Sequence, residues 1–199
     1  MRRRWLLVLP VALVLALLAT ASRLQVFWWP EQQHDVTTGR QGEPVEVSDR
    51  WEDADGDERR RELSVTLLEV VPATRVEGFS GPETLEPVAG SAVWEVRLRL
   101  DADPDVPLSG CRLSIVDTDD REATAMSAQL GETLLPGPAC ELEDRAGPRY
   151  DGTPVEGALP RPPSYDVSVL VVTDDEAVPD RVRLWWEAPD VTEIRLAGR

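Results

Sequence analysis

The 199-residue chain carries 21 basic and 37 acidic residues, a formal net charge of −16 and an isoelectric point near 4.4. A field of that sign excludes a nucleic-acid binder, which needs a basic face to neutralise phosphates. All 21 basic residues are arginine, and 42% hydrophobic with 29% charged residues is a composition that folds, with length for one domain plus appendages.

Residues 1–30 read as a targeting device. Arg2, Arg3 and Arg4 precede an uncharged, Leu-, Val- and Ala-rich stretch from Trp5 to Ala21, so the amino terminus stays in the cytoplasm and the rest of the chain is exported. Two fates fit the segment. Ala19-Thr20-Ala21 is a small-residue cleavage pattern, which would release a secreted protein after Ala21. Its 17 uncharged residues exceed an ordinary signal-peptide core and reach the length of a membrane span. Arg23, Phe27, Trp28 and Trp29 then supply a snorkelling cation and an aromatic belt at the outer interface. Length and belt favour a single-pass anchor with an extracytoplasmic domain. Without residues 1–21 the chain keeps 18 arginines against 37 acids, a net charge of −19, and such a body is repelled by anionic headgroups.

Residues 31–43 are polar and aperiodic and read as a linker; the domain is expected over 44–199. From there apolar residues recur with period two. Leu63, Val65 and Leu67, then Trp94, Val96, Leu98 and Leu100, then Leu113 and Ile115, and later Val182, Leu184 and Trp186 each alternate with polar neighbours. The run Val167 to Val172 is nearly continuous and suits a central strand. Val45 to Val47, Glu122 to Met126 and Thr192 to Leu196 are shorter candidates, and Gln129 to Glu132 is at most one helical turn. Outside the anchor no stretch of ten or more residues carries a 3.6-residue period. The pattern predicts an all-β fold, an antiparallel immunoglobulin-like sandwich of about seven or eight strands. The irregular stretch 144–164 is the long loop in which to look for a partner site.

Cys111 and Cys140 both lie in the exported part, where one disulfide is the expected use of two cysteines. Acids gather between predicted strands. Asp53, Asp55 and Asp57, and Asp101, Asp103 and Asp105, are the calcium-ligand candidates, since a hard cation takes several oxygens. Their spacing does not match an EF-hand, and Asp-Gly and Asp-Asp are ordinary turn residues, so solvated turns are the simpler reading. Arg59-Arg60-Arg61 follows the first cluster and reads as a self-paired strand entry. Trp94 and Trp186 fall on core faces. Trp185 falls on the other face, where it would stack with Arg183, Arg97 and Arg99 if their strands were neighbours.

Catalytic signatures are thin. The one histidine, His34, sits in the linker, which leaves neither a nucleophile triad nor a zinc site, and no phosphate-binding glycine loop occurs. No catalytic residue, cofactor or resident metal is expected. A two-carboxylate hydrolase survives as an alternative on acid abundance alone.

The basic cap with its apolar segment and Phe27-Trp28-Trp29-Pro30, Leu108 to Arg112, Arg161 to Ser164 and Arg183 to Pro189 together resemble small exported proteins of high-GC Gram-positive bacteria. That resemblance implies a membrane-anchored, immunoglobulin-like envelope domain and transfers no catalytic residue. The expected function is a membrane-tethered binding or structural module with an envelope protein or glycan as partner. Calcium-dependent adhesion through the Asp-rich loops is the alternative.

Overall fold

The computed structural model describes residues 10, 26, 28–78, 81–125, 129–130, 133–134, 139–142, 145 and 147–198. Most of the expected anchor, with Arg23 and Phe27, lies outside the described residues. Among those described, no helix is long and apolar enough to cross a membrane.

In chain order the strands are β1 (Asp35–Arg40), β2 (Pro44–Glu52), β3 (Glu58–Pro72), β4 (Arg75–Gly78), β5 (Gly81–Thr84), β6 (Ser91–Ala102) and β7 (Arg112–Asp117). They continue as β8 (Glu122–Thr124), β9 (Gln129–Leu130), β10 (Thr133–Leu134), β11 (Ser164–Asp174), β12 (Pro179–Trp185) and β13 (Asp190–Arg195). Nine of them make two facing sheets, a front sheet ordered β1-β13-β12-β7-β8 and a back sheet ordered β11-β6-β3-β2. The pairs β4–β5 and β9–β10 are separate two-stranded ribbons. The order departs from the ABED and CFG sheets of an immunoglobulin constant domain, because the long strands β3 and β6 pair directly.

Period-two patterning places the core between the sheets. Val65, Leu67, Val96, Leu98 and Leu100 of the back sheet meet Leu113, Ile115, Val182, Leu184 and Ile194 of the front sheet, all buried. Each such side chain contributes roughly 1.5–3 kcal/mol of transfer free energy. A bulge in β3 resets this parity. Leu67 opposes Leu98 and Glu69 opposes Arg97, so the extra residue Leu68 turns Glu69 outward onto Arg97. Carbonyls at the bulge are used by the β1–β2 turn, where the Gln41 side chain donates to Leu68 (2.9 Å) and the Gly42 amide to Leu67 (2.9 Å). A second cluster, Ala73, Leu85, Val93 and Leu170, forms beside the first.

The ninth strand is a correction to the expected linker. Residues 35–40 form β1, which pairs in parallel with β13 from Asp35↔Asp190 to Arg40↔Arg195. Its side chains are nearly all exposed, so backbone bonds hold it and no apolar alternation marks it. β1 passes close to β2 at Gly39, where any side chain would strike Val45. Gln129 and Leu130 are also a strand, β9, and not a helical turn; Gly131, Glu132 and Met126 lie outside the described residues.

Candidate functional site

The strands run between two ends of different character. At the entry end, the amides of His34 and Asp35 both donate to the Pro189 carbonyl (3.1 Å each), so the chain comes in beside the β12–β13 turn. The β2–β3, β6–β7 and β10–β11 connections gather at this end. The far end carries the β7–β8 and β11–β12 turns, and β12 crosses from it in seven residues, about 20 Å of strand.

Two buried arginines organise the entry end. Arg61 and Asp49 sit directly opposite each other on β3 and β2, facing inward, and form a salt bridge with both side chains about 5% exposed or less. Arg61 Nε also donates to the Pro107 carbonyl (2.7 Å), and its guanidinium lies 4.7 Å over the Trp186 ring. Trp186 Nε1 donates in turn to the Leu108 carbonyl (3.1 Å). Burial pushes the Asp49 carboxyl up and the Arg61 guanidinium down, each opposed by the partner's charge. Arg61 is therefore an inward structural ion, which corrects the expectation of a solvated Arg59 to Arg61 strand entry.

Arg161, 1% exposed, is the second. Its Nη2 donates to the carbonyls of Asp103 (2.5 Å) and Val106 (2.9 Å), and its Nη1 lies 3.4 Å from the Tyr165 hydroxyl. That hydroxyl donates to the Cys140 carbonyl (2.7 Å), next to the expected disulfide, which joins Cys111 to Cys140. Burial raises both the Tyr165 phenol and the nearby Glu141 carboxyl, with Arg161 pulling each back down. The long loop is thus pinned at its base while Tyr150 and Leu159 stay exposed on it.

Two of the calcium candidates, Asp53 and Asp103, form their own turns. Asp53 Oδ1 accepts the amides of Asp55 (3.0 Å) and Asp57 (2.9 Å), and Asp53 Oδ2 accepts Arg59 Nε (2.7 Å). Arg59 first, then the Asp57 amide, holds the Asp53 carboxyl below its ordinary value. Asp103 Oδ1 likewise accepts the Asp105 amide (2.9 Å). The structure brings neither Asp53, Asp55 and Asp57 nor Asp101, Asp103 and Asp105 into a donor set: among the described residues no three His, Cys, Asp or Glu groups converge as metal ligands.

The Arg–Trp ladder is also absent, because β6 and β12 belong to different sheets. Arg97 pairs with Glu69 (2.5 Å) and Glu95 (3.0 Å), Arg99 with Asp166 (2.8 Å), and Arg183 with Glu122 (2.9 Å), while Trp185 is buried. Trp28 and Trp29 are about half exposed, and the Trp29 ring lies 4.6 Å from the His34 ring.

The far end holds what no motif announced, a cleft of about 350 Å³ between β7–β8 and β11. Its walls are Ile115, Ala123, Val172 and Ala177, and its polar groups include Asp117, Arg121, Glu122 and Asp174. Arg121 lies at the mouth, donating to Asp117 (2.7 Å) and reaching Asp174 and Asp119 (3.4 Å each). Asp117 also accepts the amides of Asp119 (2.8 Å) and Arg121 (2.9 Å). Burial would raise its carboxyl, but the Arg121 and Asp119 amides and the Arg121 guanidinium outweigh that and hold it below the ordinary value. The Thr118 amide donates to the Val178 carbonyl (3.0 Å), which locks the two far-end turns together.

No family model matches the chain, and no curated protein matches it. Among solved structures it is similar to the secreted protein MPT63 of Mycobacterium tuberculosis, at 15% identity over 80% of this chain and 96% of that one, with a TM-score of 0.47. It is also similar to an uncharacterized β-sandwich protein of Clostridium difficile 630, at 9% identity over 83% of this chain and 96% of that one, with a TM-score of 0.40.

Proposed function

We propose that the chain is a membrane-tethered, extracytoplasmic, non-enzymatic module that presents the far end of its sandwich to another component of the cell envelope. One observation carries this reading: the chain enters at one end of the sandwich, and the cleft opens at the other. Six residues separate Ala21 from Trp28, a span of at most about 25 Å. An apolar segment ending at Ala21 therefore keeps the entry end, with its exposed Trp28 and Trp29, near the bilayer and points the cleft away from it. The disulfide suits an oxidising compartment.

Fractionation combined with a periplasm-type reporter fused after Arg199 tests the tether. An active reporter that stays with membranes through an alkaline wash is expected. Activity released into the soluble fraction would instead support cleavage after Ala21. In-cell cross-linking from the two ends tests the binding role: defined adducts from the far end are expected, and adducts from neither end would sink the reading.

A further inference from the structure

The far-end cleft has a chemical selectivity that the tethered-module reading leaves open, and assigning a ligand to it rests on that reading. Its apolar lining includes Ile115 of the core and Ala177 of the β11–β12 turn, both buried. Its polar lining includes three carboxylates, Asp117, Glu122 and Asp174, and one guanidinium, Arg121; Glu122 is paired with Arg183 (2.9 Å) and Asp117 with Arg121 (2.7 Å), which leaves Asp174 as the carboxylate least engaged. Arg121 already lies across the mouth, bonded to buried Asp117 and only loosely, at 3.4 Å, to exposed Asp174. The chain's own arginine thus shows which group the mouth accepts, and it leaves Asp174 available to a second cation. Asp175 and Glu176 extend the negative field beyond the rim and are also exposed.

The volume is at the small end of ligand cavities, enough for one side chain or a fragment of similar size. We infer that the cleft takes the side chain of a lysine or arginine presented by a basic, partly apolar segment of a partner protein. The aliphatic stem lies on Ile115, Ala123, Val172 and Ala177, and the cation sits at Asp174 beside Arg121. An anionic ligand meets the wrong sign of field. A second copy of this chain brings a net charge of −16 to an acidic rim. The bilayer lies at the opposite end.

The test is an NMR or calorimetric titration of the full-length chain, kept in mild detergent at low ionic strength. The probe is a capped Ala-Leu-Lys-Leu-Ala peptide, with the glutamate analogue and butylammonium as comparisons. The lysine peptide is expected to shift Ala123 and Ala177 signals and to weaken with salt. D174N is expected to weaken it about fivefold, the factor for one exposed ion pair. R121Q, which removes the internal competitor while Asp117 keeps its amide donors, is expected to tighten it. D105N at the other end is the control and should change nothing. A loss of stability alone would weaken binding in both cleft variants, so opposite signs separate a site from a structural role. Equal binding of the glutamate peptide, butylammonium binding as tightly as the peptide, or D174N and R121Q moving the affinity in the same direction would each overturn the inference. A cross-linked partner that engages the molecule away from the cleft would overturn it while leaving the tethered-module reading standing.

Discussion

Asp49 and Arg61 face each other across β2 and β3 on the inward side of the back sheet, in positions where the flanking pairs are Val47↔Leu63 and Val45↔Val65. An ion pair has taken the next inward place in a run of apolar pairs. It is held because Arg61 also reaches the Pro107 carbonyl and lies over Trp186, so the guanidinium's solvation shell is replaced on several sides. The pair thereby ties the β2–β3 hairpin to the β6–β7 connection and to the end of β12.

Removing one member leaves the other buried without compensation. D49A is expected to lose about 3–5 kcal/mol of stability, whereas the double variant D49L/R61M, which removes both charges and keeps the volume, is expected to lose much less. Urea or guanidinium denaturation of the three proteins measures this. A double variant as unstable as D49A would show that the ion pair itself, and not the orphaned charge, sets the cost.

The disulfide closes a loop whose ends are 29 positions apart, and chain entropy gives that closure about 3.5 kcal/mol. C111A/C140A should lose about that much. Because Tyr165 donates to the Cys140 carbonyl, hydrogen exchange should accelerate first in residues 139–163. Uniform acceleration across both sheets would contradict the view that the bridge mainly pins this loop.

Acid should destabilise the fold in a particular window. Asp53, Asp117, Asp151 and Asp166 all have carboxyls held below their ordinary value. The principal causes are Arg59 for Asp53, the Thr153 hydroxyl for Asp151 and Arg99 for Asp166; for Asp117, the bonds to Arg121 and Asp119 overcome burial. A depressed carboxylate stabilises the folded state above its unfolded pKa of about 4 and loses that contribution as pH falls through the folded value. Stability should therefore be flat above about pH 5 with respect to these groups and fall below about pH 4. D117N should flatten part of the acid limb, as read from melting temperature against pH.

Millimolar calcium should leave the melting temperature unchanged, because the Asp53 and Asp103 oxygens already accept backbone amides and no three ligands converge among the described residues. A calcium-dependent rise would restore the adhesion reading and place its ligands elsewhere.

Strands that bury one face are written in the residue pattern. In β3, β6, β7 and β12 alternation names the core residues, because side chains of a strand must alternate between the apolar interior and water, and in β11 a nearly continuous apolar run does so. The two cysteines name their own pairing for the same kind of reason, since an exported chain with two thiols has one bridge to form. Parity also held a signal for the buried ion pair: Asp49 continues the Val45, Val47 series and Arg61 the Leu63, Val65 series. A charge on a core parity needs a partner, and both charges share it.

The remaining features depend on contacts made only in the folded molecule. β1 is nearly all exposed and owes its place to backbone bonds with β13, more than 150 positions away, so no local pattern betrays it. Arg161 lies among prolines without periodicity, and its burial follows from carbonyls of a different loop. The cleft brings together β7, β8 and β11, and Arg97 and Trp185 are parted by sheet assignment. Periodicity fixes which way a side chain points, but which strands become neighbours depends on long-range pairing, and a site built from several strands exists only after that pairing is made.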